Sequence, residues 1–140
     1  MVDKKSFQAA LVTAILSSLQ LDDQIIRTES WSPETVSGTG TVTVEVSKWE
    51  QAAPNVHAWI VYFSVLGMTF SSEDPDKTTI QKMHEDCVRS CTALSADFFV
   101  LPEGASIAGI LPVKNSELRE NEDQFMFTVD LGLAIINTPF

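Results

Sequence analysis

An apolar stretch in the middle of the chain, Ala58 to Phe70, constrains the fold most strongly. A β-strand alternates its side chains between two faces. One face would carry Trp59, Val61, Phe63 and Val65, and the other Ile60, Tyr62, Ser64 and Leu66. Because both sets are largely apolar, the pattern predicts a central strand that is covered on both faces. We expect the chain's own helices to cover one face and a neighbouring subunit to cover the other, since a small domain with few helices cannot shield both.

A second strong pattern follows directly after this strand. The turn Asp74-Pro75-Asp76 places a proline at the first helical position behind a capping carboxylate. Apolar side chains then recur at helical spacing: Ile80, Met83, Cys87, Val88, Cys91, Leu94 and Phe98. The sequence therefore predicts a helix over residues 75–96 that packs this stripe against the sheet.

The rest of the chain supplies one more helix and several strands. Phe7, Leu11 and Ile15 have the spacing of an amphipathic helix over residues 3–21. Residues 41–46 alternate as a half-buried strand, with valines inward and Thr41, Thr43 and Glu45 outward. Residues 48–56 are predicted as a hairpin connection, 106–111 as a short strand, 114–123 as a loop and 124–136 as a long final strand.

These elements predict the fold class and the domain organisation. A chain of 140 residues is the size of one domain with one core. We expect a single α+β domain over residues 1–140. Its mainly antiparallel sheet should have about four to five strands and be packed by two helices.

The charge balance restricts the partners. The chain has 19 acidic and 9 basic residues, a formal net charge of −10. Such a charge opposes nucleic-acid binding that depends on neutralising phosphates. The acidic residues either keep the protein soluble or line a passage through which DNA moves without binding. No apolar run is long enough to cross a bilayer, so we expect no membrane partner. The two cysteines predict free thiols, which fit a reducing cytoplasm.

Candidate chemical groups are few. His84, Cys87 and Cys91 share one helical face, but a closed zinc site needs a fourth ligand, for which His57 is the remaining candidate. Cysteines and a histidine on an apolar helix face are more often part of the core. The glycines of Gly38-Thr39-Gly40 are too closely spaced for a phosphate loop. We therefore predict no catalytic, cofactor-binding or metal-binding residue, and a protein that is not an enzyme.

Three aromatic residues are candidates for contacts between subunits. Trp31, in the polar loop of residues 30–40, and Trp49 both lie in predicted loops, and Phe140 ends the chain. A loop tryptophan is either a lid on its own core or an anchor for another chain, and both interpretations stay open here. The predicted interface residues are Trp31, Trp49 and Phe140.

Three packing patterns mark the order of the predicted elements. They are Trp59-Ile60-Val61-Tyr62-Phe63-Ser64-Val65, the turn Glu73-Asp74-Pro75-Asp76 with residues 80–94, and Phe125-Met126-Phe127-Thr128-Val129-Asp130-Leu131. In this order, which spans nearly the whole chain, the sequence resembles tail-terminator and related tail-completion proteins of long-tailed bacteriophages.

The resemblance implies a non-enzymatic structural protein of the virion tail that is made in the host cytoplasm. It would close the tail tube as a homo-oligomeric ring, commonly a hexamer. The implied partners are further copies of the chain, the tail tube protein and the head-tail connector protein, with DNA passing through the lumen without specific binding and with no cofactor. A small cytoplasmic binding module and a small enzyme of α+β fold are the alternatives. Size in solution separates the module from the ring, and an activity screen bears on the enzyme.

Overall fold

The computed structural model describes residues 4–29, 40–52, 57–101 and 104–137. Its elements are α1 (Lys4–Ser18), β1 (Ile26–Thr28), β2 (Thr41–Gln51), β3 (Ala58–Phe70), α2 (Thr78–Thr92), β4 (Ala105–Ile110), β5 (Lys114–Asn115), β6 (Arg119–Asn121) and β7 (Gln124–Asn137), with a 3-10 turn at Ala96–Phe98. The predicted α+β class and the two helices are confirmed. Within the described ranges the sheet has seven strands rather than four to five, and it is mixed because β1 runs parallel to β2.

The sheet is built around β3. Its strand order is β1-β2-β3-β7-β4, and β5 and β6 follow β4 along the same side of β7. Antiparallel pairing joins β3 to β7 over its whole length, from Ala58 opposite Ile136 to Phe70 opposite Gln124. On its other side β3 pairs with β2, from Trp59 opposite Gln51 to Met68 opposite Thr41. The central position predicted for this strand is therefore confirmed.

Both helices pack on one face of the sheet, which we call the inner face. Val61, Phe63 and Val65 of β3 are fully buried there. The predicted stripe is buried against the same core, with α1 beside it: Ile80, Met83, Cys87 and Cys91 from α2, Leu94 just after α2, and Phe7, Leu11 and Ile15 from α1. The helix-on-sheet core expected from the two periodicities is thus present.

Helix α2 is shorter than the predicted 75–96, and Pro75 is not its first residue. The carboxylate of Asp74 accepts the backbone N–H groups of Thr79 at 3.0 Å and Ile80 at 2.9 Å. The chain first makes a tight turn, in which the Lys77 amide donates to the Asp74 carbonyl at 3.0 Å and Lys77 has a φ of 61°. The predicted capping carboxylate is correct, but it acts across this turn and the helix begins three residues after Pro75.

Helix α1 ends at Ser18 instead of continuing to residue 21. Beyond it, the Leu19 carbonyl accepts a guanidinium N–H of Arg27 at 2.9 Å, and the Gln20 amide donates to the Ser90 hydroxyl at 2.9 Å. These bonds satisfy groups that would otherwise continue the helix, and they fix the chain against α2 and β1.

Two further boundaries differ from the predictions. Strand β2 continues to Gln51, because a register shift between Val46 and Lys48 lets pairing with β3 resume after one extra residue. The predicted 114–123 loop contains the short strands β5 and β6. Thr41 and Thr43, predicted to face solvent, are fully buried, so the side of β2 away from its valines is covered at these two residues.

Candidate interaction surface

The face of the sheet opposite the helices, which we call the outer face, is only partly covered. The β3 side chains Ile60, Tyr62, Ser64 and Leu66 lie on it and are half-buried, as are Met126 and Ala134 of β7. Both helices of the described chain lie on the inner face. A largely apolar sheet face with only partial cover is suited to a contact with another protein surface.

A groove of about 490 Å³ runs across this outer face. Its floor includes Tyr62 and the backbone at Gly132, and Leu111 and Pro112 form one wall. The Leu111 amide donates to the Gly132 carbonyl at 2.9 Å. A Cβ atom at residue 132 would come within 2.6 Å of Leu111 Cδ1, so this wall packs directly on the glycine. The groove therefore depends on glycine at this position.

The polar groups of the groove form a short chain of hydrogen bonds. The Ser64 hydroxyl donates to Asp130 Oδ1 at 2.7 Å, and the Ser47 and Ser64 hydroxyl oxygens are 3.1 Å apart. Lys48 Nζ lies 4.8 Å from the centre of the Tyr62 ring. Lys114 also lines the groove, as the register partner of Asp130. Lys48 Nζ also lies 3.4 Å from Glu50 Oε2, whereas Lys114 forms no ion pair with a described residue, so Lys114 is the unpaired cation of the groove.

A second exposed apolar feature lies between α2 and β4, at residues 97–100, which we call the ridge. Phe98 is 51% exposed and Val100 93% exposed, whereas Phe99 between them is buried in the core. Asp97 beside them is exposed. Phe98 is therefore not part of the buried α2 stripe to which its spacing assigned it, because the helix ends at Thr92 and Phe98 lies in the separate 3-10 turn Ala96–Phe98.

The structure places one of the three predicted interface residues. Trp49 lies in β2 rather than in a loop, and its indole N–H donates to Oε1 of Gln8 on α1 at 2.8 Å. Its ring centre is 6.4 Å from that of Phe7 and 6.1 Å from that of Trp59. Trp49 thus covers the edge of its own core, and its role between subunits stays a prediction. Trp31 and Phe140 lie outside the described residues.

The cysteines on α2 are core residues. Cys87 and Cys91 are buried, and burial raises the pKa of both thiols, that of Cys91 to about 12. A thiol with so high a pKa is protonated at neutral pH and is a poor nucleophile and metal ligand. The ring of His84 stacks on Phe127, with centres 4.7 Å apart, and burial lowers the pKa of His84. In the parts of the chain that the structure describes, no group of three or more His, Cys, Asp or Glu residues is placed to hold a metal ion.

The buried carboxylate on α2, that of Asp86, is paired with two cations of the same helix. Asp86 accepts from Arg89 Nη2 at 2.6 Å and from Lys82 Nζ at 2.9 Å, and Lys82 reaches Asp22 at 3.4 Å. Burial acts to raise the pKa of Asp86, but the hydrogen bonds from the two cations outweigh burial and lower it. This network joins α2 to the turn after α1, and every charged group in it has a partner.

No protein-family model matches the chain, and no curated protein matches it. Among the described residues, no helix combines the length and the apolar character needed to cross a membrane. The groove and the ridge were not found from the sequence. The sequence signal for the groove is the apolar residues on both faces of the strand at residues 60–66. The signal for the ridge is the run of three apolar residues Phe98-Phe99-Val100.

Proposed function

We propose that the chain is a non-enzymatic structural protein of a long-tailed bacteriophage virion. In this proposal its copies form a ring, a hexamer as in the proteins that it resembles, which closes the tail tube and joins it to the head connector. The partners are further copies of the chain, the tail tube protein and the head-tail connector protein.

The observation that carries the proposal is the partly covered outer face. Side chains such as Ile60, Tyr62 and Leu66 are apolar or aromatic and remain half-exposed, although they lie on the central strand of the sheet. Burying this surface against a second copy contributes roughly 25 cal/mol for each Å² of apolar area removed from water. A subunit interface is a direct means of covering such a face in a chain with two helices.

The order of the elements supports the same proposal. A helix, a long hairpin of β2 and β3, a second helix, a short strand and a long final strand follow one another as the resemblance implies. The final strand β7 pairs with β3, so the middle and the last part of the chain meet in the centre of one sheet.

The charges of the described residues fit a ring around DNA. Acidic side chains crowd the end of the sheet where β3 ends and β7 begins, including Glu73, Asp76, Glu122 and Asp123, and the Ser71 amide donates to the Asp123 carbonyl at 2.8 Å. If this end lines the lumen, it repels phosphate, and DNA passes without being held.

Sedimentation velocity and negative-stain electron microscopy of the purified protein test the proposal. We expect self-association that increases with protein concentration, rings in the micrographs, and rings at the ends of tail tubes when the tube protein from the same genome is added. Assembly should be slower at low salt, because the subunits carry charge of the same sign and repel one another. Near 0.1 M salt, screening limits this repulsion to about 10 Å.

A matched pair of variants shows whether the outer face is responsible. Tyr62→Glu adds one negative charge on the outer face, and Gln81→Glu adds the same charge on the exposed side of α2. Tyr62→Glu should prevent ring formation, whereas Gln81→Glu should not. A wild-type chain that stays monomeric at all concentrations and salts, and that also fails to bind tubes, would refute the proposal.

A further inference from the structure

We infer that the groove on the outer face receives the ridge, residues 97–100, of a second copy of the same chain. Phe98 would enter the groove, and Asp97 would face Lys114 at its rim. This inference rests on the proposed self-assembly and specifies the surfaces through which it occurs.

The ridge has the character of an anchor. The buried Phe99 fixes the segment to the core, so that its neighbours Phe98 and Val100 are held in the exposed position and do not fold back. Interface residues that contribute most to binding are typically aromatic side chains that enter a pocket on the partner. At 93% exposure, Val100 has almost no cover from its own chain.

The groove has the matching character. Its floor and wall offer the Tyr62 ring and the Leu111 side chain to an aromatic group, with the backbone at Gly132 between them. Lys114 at the rim belongs to no ion pair with a described residue, and the same is true of Asp97 on the ridge. A lysine beside an apolar groove and a carboxylate beside an apolar anchor are complementary in both charge and polarity.

Charge also favours a second copy as the occupant. Most of the surface of this acidic chain would be repelled by another copy, since only nine residues are basic. Two of them, Lys48 and Lys114, lie at the groove. Lys48 is paired with Glu50 at 3.4 Å, so Lys114 is the cation that attracts an acidic segment of a second copy.

Two different patches on each copy make the contact directional. The ridge of one copy occupies the groove of the next, so that each copy uses its ridge on one side and its groove on the other. Such a heterologous contact closes into a ring when the rotation between subunits permits, and it remains open to further growth otherwise. The same patches are therefore compatible with a ring, and they give a two-fold dimer only if two copies make both contacts reciprocally.

The first test measures the dissociation constant of self-association by sedimentation velocity for five variants. Phe98→Ser should weaken association by about 30-fold or more, as the loss of an aromatic anchor does. Asp97→Lys and Lys114→Asp should each weaken it by about tenfold, and the double variant should recover most of that loss because it restores an opposite pair. Lys5→Asp, which reverses an exposed charge on α1, is the control that should leave association unchanged.

The second test mixes two variants at a protein concentration at which neither assembles alone. Lys114→Asp keeps its ridge, and Phe98→Ser keeps its groove, so a mixture can form one ridge-in-groove contact and no more. We expect the mixture to give 1:1 dimers and no larger species. Because Asp97 and Lys114 are both exposed, the charge variants test the contact even if Phe98→Ser lowers stability.

The outcomes separate this inference from the proposed function. If the wild type forms rings and Phe98→Ser, Asp97→Lys and Lys114→Asp do so equally well, the ridge-in-groove contact is wrong and ring assembly uses other surfaces. If Lys114→Asp impairs tube binding alone and leaves self-association intact, the groove binds the tube protein, which also overturns the inference. A wild type that never self-associates, alone or on tubes, refutes the proposed function itself.

Discussion

Replacing Gly67 by alanine should disrupt the core at the centre of β3. Gly67 is buried and lies opposite Phe127 in the register, and a Cβ atom built at residue 67 would overlap the Phe127 ring. The ring cannot move away easily, because it is 1% exposed and His84 of α2 stacks on it. Glycine is therefore required here for space, since the Phe127 ring occupies the volume that a side chain would need.

The magnitude follows from two opposing effects. Overpacking a core costs about 1–3 kcal/mol, and a clash with a ring held on both sides lies at the upper end of that range. Alanine in place of glycine recovers about 0.5–1 kcal/mol of chain entropy. We expect a net loss of about 2 kcal/mol in the free energy of unfolding.

Urea unfolding, followed by circular dichroism, measures this loss. Gly109→Ala is the matched control, because a Cβ atom there would meet no atom within 4 Å, and its stability should stay within about 1 kcal/mol of the wild type or rise slightly. Adding Phe127→Leu to Gly67→Ala should cost less than the sum of the two single changes, since the smaller side chain leaves room for the methyl group. A loss below about 0.5 kcal/mol for Gly67→Ala, or simple additivity in the double variant, would refute the packing argument.

Three further predictions concern α2 and the residues that directly follow it. Leu94→Ala should cost about 2–4 kcal/mol of unfolding free energy in urea titrations, because Leu94 is buried in the core, and a change within about 0.5 kcal/mol would place it on the surface instead. Asp86→Asn should lower the free energy of unfolding at pH 7 by about 1–2 kcal/mol. Because folding lowers the pKa of Asp86, this difference should be present above the pKa of the unfolded state and disappear as the pH falls through the pKa of the folded state. Thermal melts from pH 7 to pH 2 that show a constant difference would contradict this prediction. Burial raises the pKa of Cys87 and Cys91, so both should resist a thiol reagent at pH 8, where a pKa of about 12 leaves Cys91 a thiolate fraction of about 10⁻⁴, and both should react at once in urea. Rapid labelling of the folded protein would show that the thiols are not buried.

Much of the fold follows from local patterns in the sequence. Apolar residues alternate in β3 and β7 and recur every 3.6 residues in α2. In each element this pattern places the apolar side chains on one side, and that side is buried in the fold. The buried faces of the central strands and the α2 stripe, apart from Phe98, were therefore predictable.

The errors occur where contacts distant in sequence decide the outcome. Helix α1 ends early because Arg27 and Ser90 bond to residues just after it, and the α2 start is displaced by a turn around Asp74. Strand β2 continues past Val46 through a bulge that the sequence does not mark.

The candidate surface was only half predictable. A second apolar face on β3 was expected from alternation, but the groove needs Leu111 to pack on Gly132, which depends on the register between distant segments. The exposure of Phe98 depends on where α2 ends, and its helical spacing pointed the other way.

Chemical nitration of tyrosine tests the central claim, that a second copy covers the outer face, most directly. The chain has a single tyrosine, Tyr62, which lies half-exposed in the groove. Nitration rates are compared between assembled rings and the dissociated chain, with Phe98→Ser as a reference for an empty groove. The account predicts that Tyr62 reacts several-fold more slowly in rings and at the dissociated rate in Phe98→Ser. Equal rates in rings and in the dissociated wild type would contradict it.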